Sequence, residues 1–415
     1  MYLLSYLMAT LYLFNFGPIK WAGRTWEVNS FLLVTWLFLI LGYFIATRMK
    51  ISNKSRKPIQ LDIRKIIKYG MLFNIITMPF AIYAYTGKLP TQISLDLSMQ
   101  GEMHEQFYEH VIQSKGSTFR TILSFVRAIF APFIYGSIIL GFKYWKNLDK
   151  RYRILVIISV LVQVFFSFSR GTDKEIADLI IFFIAAAIVN RDRNILKKFG
   201  KYLIFALIFV TFVSVFTERR AGRYNFDMPN CFSQANICVD PENSAVSSVI
   251  GRNNYIGLSM FVNYLTQGYN GLSLAMDLDY ESTYGLGHAP IVSRIYERIS
   301  GDFDLYYNTY NYRLRTKGWS DLYSWSTLYT WIANDVSFYL VPLVIFLLGG
   351  ILGLSWRQTV LYNNDIAYMV FSLMFLSLIY SPANNQLGIS LEMFTTWIFW
   401  LTYWAIKNNQ KRKSI

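Results

Sequence analysis

The sequence predicts an all-α polytopic membrane protein with about 10–12 transmembrane helices. Three observations support this fold class: composition, long apolar segments and the distribution of charge. Of the 415 residues, 54% are hydrophobic, 18% are aromatic and only 16% are charged, which is typical of polytopic membrane proteins. The formal net charge is +15. Because this charge is divided between loops in the way that membrane topology requires, we exclude nucleic acid as its explanation.

Ten apolar segments approach the length of a membrane span. A helix needs about 20 apolar residues to cross the hydrocarbon core, with a range of about 17–25. Several segments are at or just under that limit, which leaves room for one or two more helices. The segments are Tyr2–Phe16, Phe31–Thr47, Ile66–Thr86, Phe119–Phe142, Ile154–Ser169, Glu175–Val189, Tyr202–Thr217, Asp335–Trp356, Ile366–Ser381 and Gly388–Ile406.

The basic residues predict the orientation of these helices. Lys and Arg are retained on the cytoplasmic side of a membrane, and more than half of them lie in five connecting segments. These are Arg48–Lys68, Lys143–Arg153, Arg191–Lys201, the short loop at Arg357 and the tail from Lys407. Placing them inside predicts that both termini are cytoplasmic. The same residues can contact anionic lipid head groups.

This topology divides the chain into three regions. Residues 1–217 are predicted to form seven transmembrane helices, with an acidic extracytoplasmic loop at about 87–118. Residues 218–334 are predicted to form one large extracytoplasmic loop. Residues 335–415 are predicted to form three more helices and a basic cytoplasmic tail.

The large loop has internal features of its own. Ile250–Met276 predicts short amphipathic helices at the membrane interface, and the Trp-rich stretch Trp319–Trp331 predicts a half-buried or re-entrant segment. The two cysteines of the chain, Cys231 and Cys238, both lie in this loop. On the predicted topology they face an oxidising compartment, so we expect a disulfide between them.

Polar and charged residues converge on the predicted outer face. Ionisable groups inside apolar segments are costly and mark functional sites. The residues are Arg127, Asp178, Asp335 and Glu392 within the segments, Arg170, Arg219, Arg220 and Arg223 where segments end, and Asn384, Asn385 and Gln386 in the last outer turn. Buried ion pairs that hold helices together, such as Arg127 with Asp178, are the alternative interpretation. The clustering as a whole favours a site for a membrane-bound anion, because guanidinium groups bind phosphate through paired hydrogen bonds.

His288 is the candidate for proton transfer. It stands in TYGLGHAP, a Gly-rich turn followed by Pro290, and it is the one histidine of the large loop. A histidine near its reference pKa can act as a general base or as a hydrogen-bond donor. Two Asp-x-Asp pairs, Asp277/Asp279 and Asp302/Asp304, could hold a divalent ion, but short acidic pairs are common by chance. The sequence therefore predicts no metal and no cofactor.

Three segments together resemble a known family. SFSRGTDKEIADL, TYGLGHAP and YSPANNQ look like the corresponding parts of the Wzy-type O-antigen polymerases, also called oligosaccharide repeat unit polymerases. The related O-antigen ligases share the same plan. The resemblance implies a GT-C-like fold and a metal-independent glycosyltransferase. It also implies the bacterial inner membrane, with the active site facing the periplasm.

The resemblance also implies roles for individual residues. Arg170 and Arg223 would act with Arg219 and Arg220 on the diphosphate, and His288 would orient or deprotonate the acceptor hydroxyl. The remaining implied substrate contacts are Arg127, Arg252, Asp335, Asn384, Asn385, Gln386, Tyr284 and Trp325. The implied partners are undecaprenyl-diphosphate-linked oligosaccharide and membrane lipids, and a chain-length regulator protein is compatible with them. An O-antigen ligase and a lipid-linked oligosaccharide flippase are the alternatives. A flippase is less favoured, since the polar residues gather at one face only.

Overall fold

The computed structural model is mostly helical. It describes residues 2–22, 25–49, 59–96, 99–114, 116–190, 213–214, 217, 231–232, 237–321 and 324–413. Within these ranges the helices are α1 (Tyr2–Phe16), α2 (Thr25–Arg48), α3 (Ile63–Thr86), α4 (Gln100–Gln113), α5 (Thr118–Lys143), α6 (Lys150–Ser169), α7 (Lys174–Val189), α8 (Ala245–Ile250), α9 (Arg252–Ala275), α10 (Pro290–Ser300), α11 (Asp304–Tyr307), α12 (Tyr310–Arg313), α13 (Leu328–Tyr362), α14 (Asp365–Tyr380) and α15 (Leu391–Lys413). Two short strands, Cys231–Phe232 and Ile237–Cys238, pair with each other.

Five of the described helices, α2, α3, α5, α6 and α13, are long and apolar enough to cross a membrane. Helices α1 and α14 are apolar but shorter. The predicted class of helical membrane protein is therefore confirmed. Among the described residues, five helices are candidates for the predicted transmembrane helices. The predicted span Tyr202–Thr217 lies almost wholly outside the described residues.

The chain divides into two compact units. Unit 1 comprises Met1–Leu61, Phe232–Ile237 and Val262–Ile415, and unit 2 comprises Asp62–Cys231 and Cys238–Phe261.

In unit 1, α2 and α13 run parallel in close contact. A Cβ atom on Gly349 would lie 2.3 Å from the carbonyl oxygen of Leu39, and one on Gly353 would lie 2.6 Å from that of Tyr43. Glycines spaced in this way let helix backbones approach within a membrane, where the hydrophobic effect does not drive helices together. Phe31 and Phe338 meet edge to face at the N-terminal part of the same pair, with ring centroids 5.8 Å apart.

Helix α13 is interrupted at Ser337, whose φ of 59° and ψ of 163° are not helical. The segment before the break, Leu328–Val336, joins the end of α14, because the N–H of Leu328 donates to Ser381 O at 3.0 Å. Residues 381–390 then connect α14 to α15. The start of α13, the end of α14 and the start of α15 thus lie at one end of unit 1.

The opposite end of unit 1 is held by a separate polar network. Gln358 Oε1 accepts a hydrogen bond from the indole N–H of Trp404 at 2.8 Å. Asp365 Oδ2 accepts one from the N–H of Leu61 at 3.1 Å. The first bond ties the end of α13 to the C-terminal part of α15, and the second ties the start of α14 to the segment before α3.

Unit 2 is organised around α3, which packs against α5 and α6. The side chain of Asn74 donates to Ser159 Oγ at 2.9 Å and accepts from Gln163 Nε2 at 3.2 Å. Arg64 and Asp149 form an ion pair of 3.1 Å where α3 and α6 begin. Helices α3 and α6 are therefore parallel, and their first turns lie side by side.

The predicted interfacial helices at Ile250–Met276 take a different form. The structure has α8 followed by the single 24-residue helix α9, in which Tyr269 and Leu272 are completely buried. Two glycines permit this burial: a Cβ on Gly268 would lie 2.1 Å from Pro382 O, and one on Gly271 would lie 2.7 Å from the indole nitrogen of Trp319. Because small and amide residues such as Ser259, Thr266 and Asn270 are interspersed with the large apolar residues of the buried face, hydropathy did not predict it.

Candidate functional site

The predicted base, His288, lies in unit 1 beside Asp335. Its Nδ1 is 2.9 Å from Asp335 Oδ2 and 3.0 Å from Gly285 O. The imidazole side chain is 44% exposed, whereas the carboxylate is 9% exposed. The structure thus brings together two residues that the sequence separates by 47 positions.

Asp335 organises the whole turn around His288. Its Oδ1 accepts hydrogen bonds from Thr283 Oγ1 and from the N–H of Gly287, and its Oδ2 accepts from the N–H of His288. A carboxylate that accepts several such bonds is an acceptor only. The Nδ1 atom of His288 therefore carries the proton, and Nε2 presents its lone pair away from the carboxylate.

Asn334, next to Asp335, supports the site from within the fold. It is fully buried, and its side-chain amide donates to Gly287 O at 3.1 Å and to Asn311 Oδ1 at 3.0 Å. Its Oδ1 accepts from the N–H of Tyr310 at 2.8 Å. Asn334 was not among the predicted site residues, although its position beside Asp335 at the start of an apolar segment could have indicated a polar site.

The amide residues of the last outer turn also lie at this end of unit 1. Asn385 Nδ2 donates to His288 O at 2.7 Å, and the N–H of Ile291 donates to Gly388 O at 3.0 Å. Asn385 and Gln386 are buried, and Asn384 Oδ1 accepts from the N–H of Asn385. In this structure Asn385 supports the backbone of the His288 turn, so the burial of Asn385 and Gln386 does not favour direct contact with a sugar.

Tyr284 is the exposed ring of the turn. It is 84% exposed and has a φ of 53°, in the left-handed region that a tyrosine rarely adopts. Trp325 lies elsewhere in unit 1, where its N–H donates to Gln267 Oε1 at 3.3 Å and its ring meets Tyr264 at 4.7 Å. Of these two aromatic residues among the implied substrate contacts, only Tyr284 belongs to the His288 turn.

Arg170 occupies an enclosed site in unit 2. Its guanidinium pairs with Glu175, and the two side chains are 13% and 10% exposed. The guanidinium carbon lies 4.1 Å from the ring centroid of Phe166 and 5.7 Å from that of Phe107. Arg170 Nε is buried and has no hydrogen-bond partner among the described residues. This environment fits a structural ion pair better than an open phosphate ligand.

The other predicted arginines are placed differently. Arg127 is buried in unit 2 and donates to Thr77 Oγ1 at 2.7 Å. Arg252, the first residue of α9, is exposed. Arg219, Arg220 and Arg223 lie outside the described residues. A disulfide joins Cys231 and Cys238.

A second polar cluster, which sequence reasoning missed, lies in unit 1. Arg315 and Tyr306 both bond Asp321, and the Arg315 guanidinium lies 4.5 Å from the ring centroid of Tyr312. Burial raises the pKa of the Tyr306 phenol well above its usual value, and the hydrogen bond and negative charge of Asp321 raise it further. The phenol therefore stays protonated at neutral pH and serves as a donor.

Among the described residues, no group of three His, Cys, Asp or Glu side chains is placed to hold a metal ion. The two Asp-x-Asp pairs are therefore not part of such a group within the described ranges. Comparison with known proteins gives no further assignment: no protein-family model, no curated protein and no solved structure matches this chain.

Proposed function

We propose that this chain joins undecaprenyl-diphosphate-linked oligosaccharide repeat units in O-antigen biosynthesis. It would act at the periplasmic face of the bacterial inner membrane as a metal-independent glycosyltransferase. The observation that carries the proposal is the half-exposed imidazole of His288, held at Nδ1 by the buried carboxylate of Asp335. The resemblance of the three sequence segments to the Wzy-type polymerases supports the same reaction class.

The proposed reaction is the transfer of a growing glycan to a new lipid-linked unit. His288 Nε2 accepts the proton of the acceptor sugar hydroxyl, and the resulting oxygen nucleophile forms a bond to C1 of the donor glycan. The bond between C1 and the diphosphate oxygen breaks, and undecaprenyl diphosphate leaves with the electron pair. The proton then passes from the imidazole to solvent. Because diphosphate is a good leaving group, a positioned base and positioned substrates account for much of the rate.

Asp335 makes the imidazole a suitable base for this step. By accepting a hydrogen bond from Nδ1–H it favours the tautomer with a basic Nε2, and it stabilises the imidazolium that forms when Nε2 takes a proton. Holding the ring in one orientation also reduces the entropy lost on reaching the transition state.

Backbone strain beside the pair is a second supporting observation. Tyr284 and Ser337 both have positive φ, at 53° and 59°, and they flank Asp335 from the turn and from α13. A residue in such a conformation costs about 1–3 kcal/mol, and strained residues cluster at functional sites. The chain adopts these conformations where they position the His288 turn against the carboxylate.

The negative charge of the diphosphate requires cations. In this proposal the sequence resemblance assigns Arg219, Arg220, Arg223 and Arg252 to the diphosphate, because guanidinium gives paired hydrogen bonds to phosphate. Arg170 is the weaker candidate, because it is already neutralised by Glu175.

The test is a gel of surface lipopolysaccharide from a strain that lacks the gene, beside strains re-expressing wild-type protein or His288→Ala. The proposal predicts core carrying a single repeat in the deletion strain and a restored ladder with wild-type protein only. Bare core without any repeat would contradict it and would indicate an O-antigen ligase, a flippase or an earlier step. In a purified reaction, a chelator of divalent ions should not change the rate; inhibition that a divalent ion reverses would contradict the metal-independent chemistry.

A further inference from the structure

Unit 2 has an open groove of about 440 Å³ between the first turns of α3 and α6. Six residues line it: Lys68, Leu72, Lys150, Arg151, Ile154 and Leu155. Three are cationic and three are aliphatic, and none is acidic. The sequence analysis assigned no site to these residues beyond a general attraction to anionic lipids.

The positive charge of the groove is not compensated within the described part of the chain. There, Lys150 and Arg151 make no ion pair and no hydrogen bond through their side chains, and Lys68 contacts only the ring of Tyr69, at 5.3 Å. The two nearest acids in sequence are already engaged. Asp62 pairs with Lys65 at 3.1 Å and Asp149 with Arg64 at 3.1 Å. Three cations converging on one groove without a carboxylate form a site for an anion.

The order of residues along both helices adds a second property. Leu72 follows Lys68 by one helical turn on α3, and Ile154 and Leu155 follow Lys150 and Arg151 by one turn on α6. Because α3 and α6 are parallel, the aliphatic residues lie about 6 Å further along the membrane-spanning direction than the cations. A lipid has the same arrangement, because its charged head group is followed by apolar acyl chains. A free phosphate or a nucleotide has no acyl chain to pack against the aliphatic residues of the groove.

We propose that this groove binds one anionic glycerophospholipid of the surrounding membrane. Lys68, Lys150 and Arg151 contact the head-group phosphate, and an acyl chain lies along Leu72, Ile154 and Leu155. Both helices are among the candidate membrane spans, so the groove opens to the bilayer, where such a lipid is present. The site is independent of the His288 centre and of the proposed function.

The experiment compares lipid binding by two charge-matched double variants of the full chain. Lys150→Gln/Arg151→Gln neutralises two groove cations, and Lys146→Gln/Lys317→Gln neutralises two exposed lysines that lie outside the groove. Each protein, purified in detergent, is titrated with phosphatidylglycerol, with phosphatidylcholine and with inorganic phosphate, and bound lipid is measured by native mass spectrometry.

We expect wild-type protein and the control variant to bind phosphatidylglycerol in preference to phosphatidylcholine. The groove variant should bind phosphatidylglycerol about 30-fold more weakly, since each basic residue near an anionic head group contributes about a factor of five. Equal binding by the two variants would overturn the proposal, as would equal binding of the two lipids by wild-type protein. Competition by millimolar inorganic phosphate would show a phosphate site without lipid specificity and would overturn it too. Elution of both variants as monodisperse peaks in size-exclusion chromatography guards against a folding defect.

Discussion

The His288 centre of unit 1 and the Arg170 centre of unit 2 share one arrangement and differ in the exposure of the basic side chain. Each consists of a basic side chain held by a carboxylate, and the two carboxylates are almost equally buried, at 9% for Asp335 and 10% for Glu175. The basic groups differ: the imidazole is 44% exposed and the guanidinium is 13% exposed. The exposure of the basic partner, and not the presence of the pair, therefore separates a candidate catalytic group from a candidate structural one.

The largest expected effect is on activity in unit 1. His288→Ala should lower the polymerisation rate by about 10²–10⁴-fold, the usual contribution of a general base, while the amount of protein in the membrane stays near wild type. The ring is half-exposed, so its loss removes little packing. Ladder length and membrane abundance are measured together, with the exposed Ser300→Ala as control. Retained ladder length in an abundant His288→Ala protein would remove the base from the proposal.

The second largest effect is expected to be a loss of stability in unit 2. Glu175→Gln leaves the buried Arg170 without its counter-charge and should lower the free energy of unfolding by about 3–5 kcal/mol. The matched control is Glu281→Gln, which breaks the more exposed pair with Arg313 at 2.8 Å and should cost less than about 1 kcal/mol. Thermal unfolding in detergent measures both.

Arg170→Ala breaks the same pair from its other side and should also reduce the amount of folded protein. A variant that is abundant and thermally stable but inactive would instead support the diphosphate role, and the contrast between the two centres would then fail.

The third effect tests whether Asp335 acts through His288. Asp335→Asn removes an acceptor for the Nδ1 proton and should lower the rate by about 10–100-fold, as is usual for residues that orient a functional histidine. In a His288→Ala background the same substitution should cause no further loss of rate, since the two residues act as one unit. Additive losses of activity would show that Asp335 contacts substrate independently.

The smallest expected effect is a difference in stability between alanine substitutions at Gly171 and Gly285, one in the turn after α6 and one in the His288 turn. Gly171 has a φ of 59°, and a Cβ there would lie 2.5 Å from Gln100 O; Gly285 has a φ of 83°, with nothing within 4 Å of its Cβ position. Both alanine variants carry the left-handed penalty of about 1–2 kcal/mol. Gly171→Ala should cost about 1–3 kcal/mol more, because it also overlaps the backbone of α4. Equal unfolding temperatures for the two variants would contradict the view that only the turn in unit 2 is closely packed.

The helices were predictable from the sequence, and much of the site was not. Apolar segments of near-spanning length predicted α3 and α6 to within a few residues, because the cost of burying polar backbone in lipid leaves few alternatives. His288 and Asp335 were both singled out, one by its Gly-rich turn and the other by its charge in an apolar segment. Their pairing was not predicted, since it depends on how the loop folds back on α13.

The surroundings of Arg170 and Asn385 were also not predictable from the sequence. An arginine at a helix end has the same local pattern whether it meets a ligand or a buried carboxylate. Only the position of Glu175, one turn into the next helix, and the enclosing rings of Phe166 and Phe107 distinguish the two cases.

The break at Ser337 has a mechanical consequence for the His288 turn. The last carbonyls before the break serve the turn: Asn334 O accepts from Thr283 Oγ1 at 2.8 Å, and Asp335 O accepts from Tyr280 OH at 2.7 Å. In an uninterrupted helix these carbonyls would face the N–H groups of Phe338 and Tyr339. Straightening the helix at Ser337 would redirect these two carbonyls to its own backbone, so the break lets α13 hold the His288 turn by hydrogen bonds.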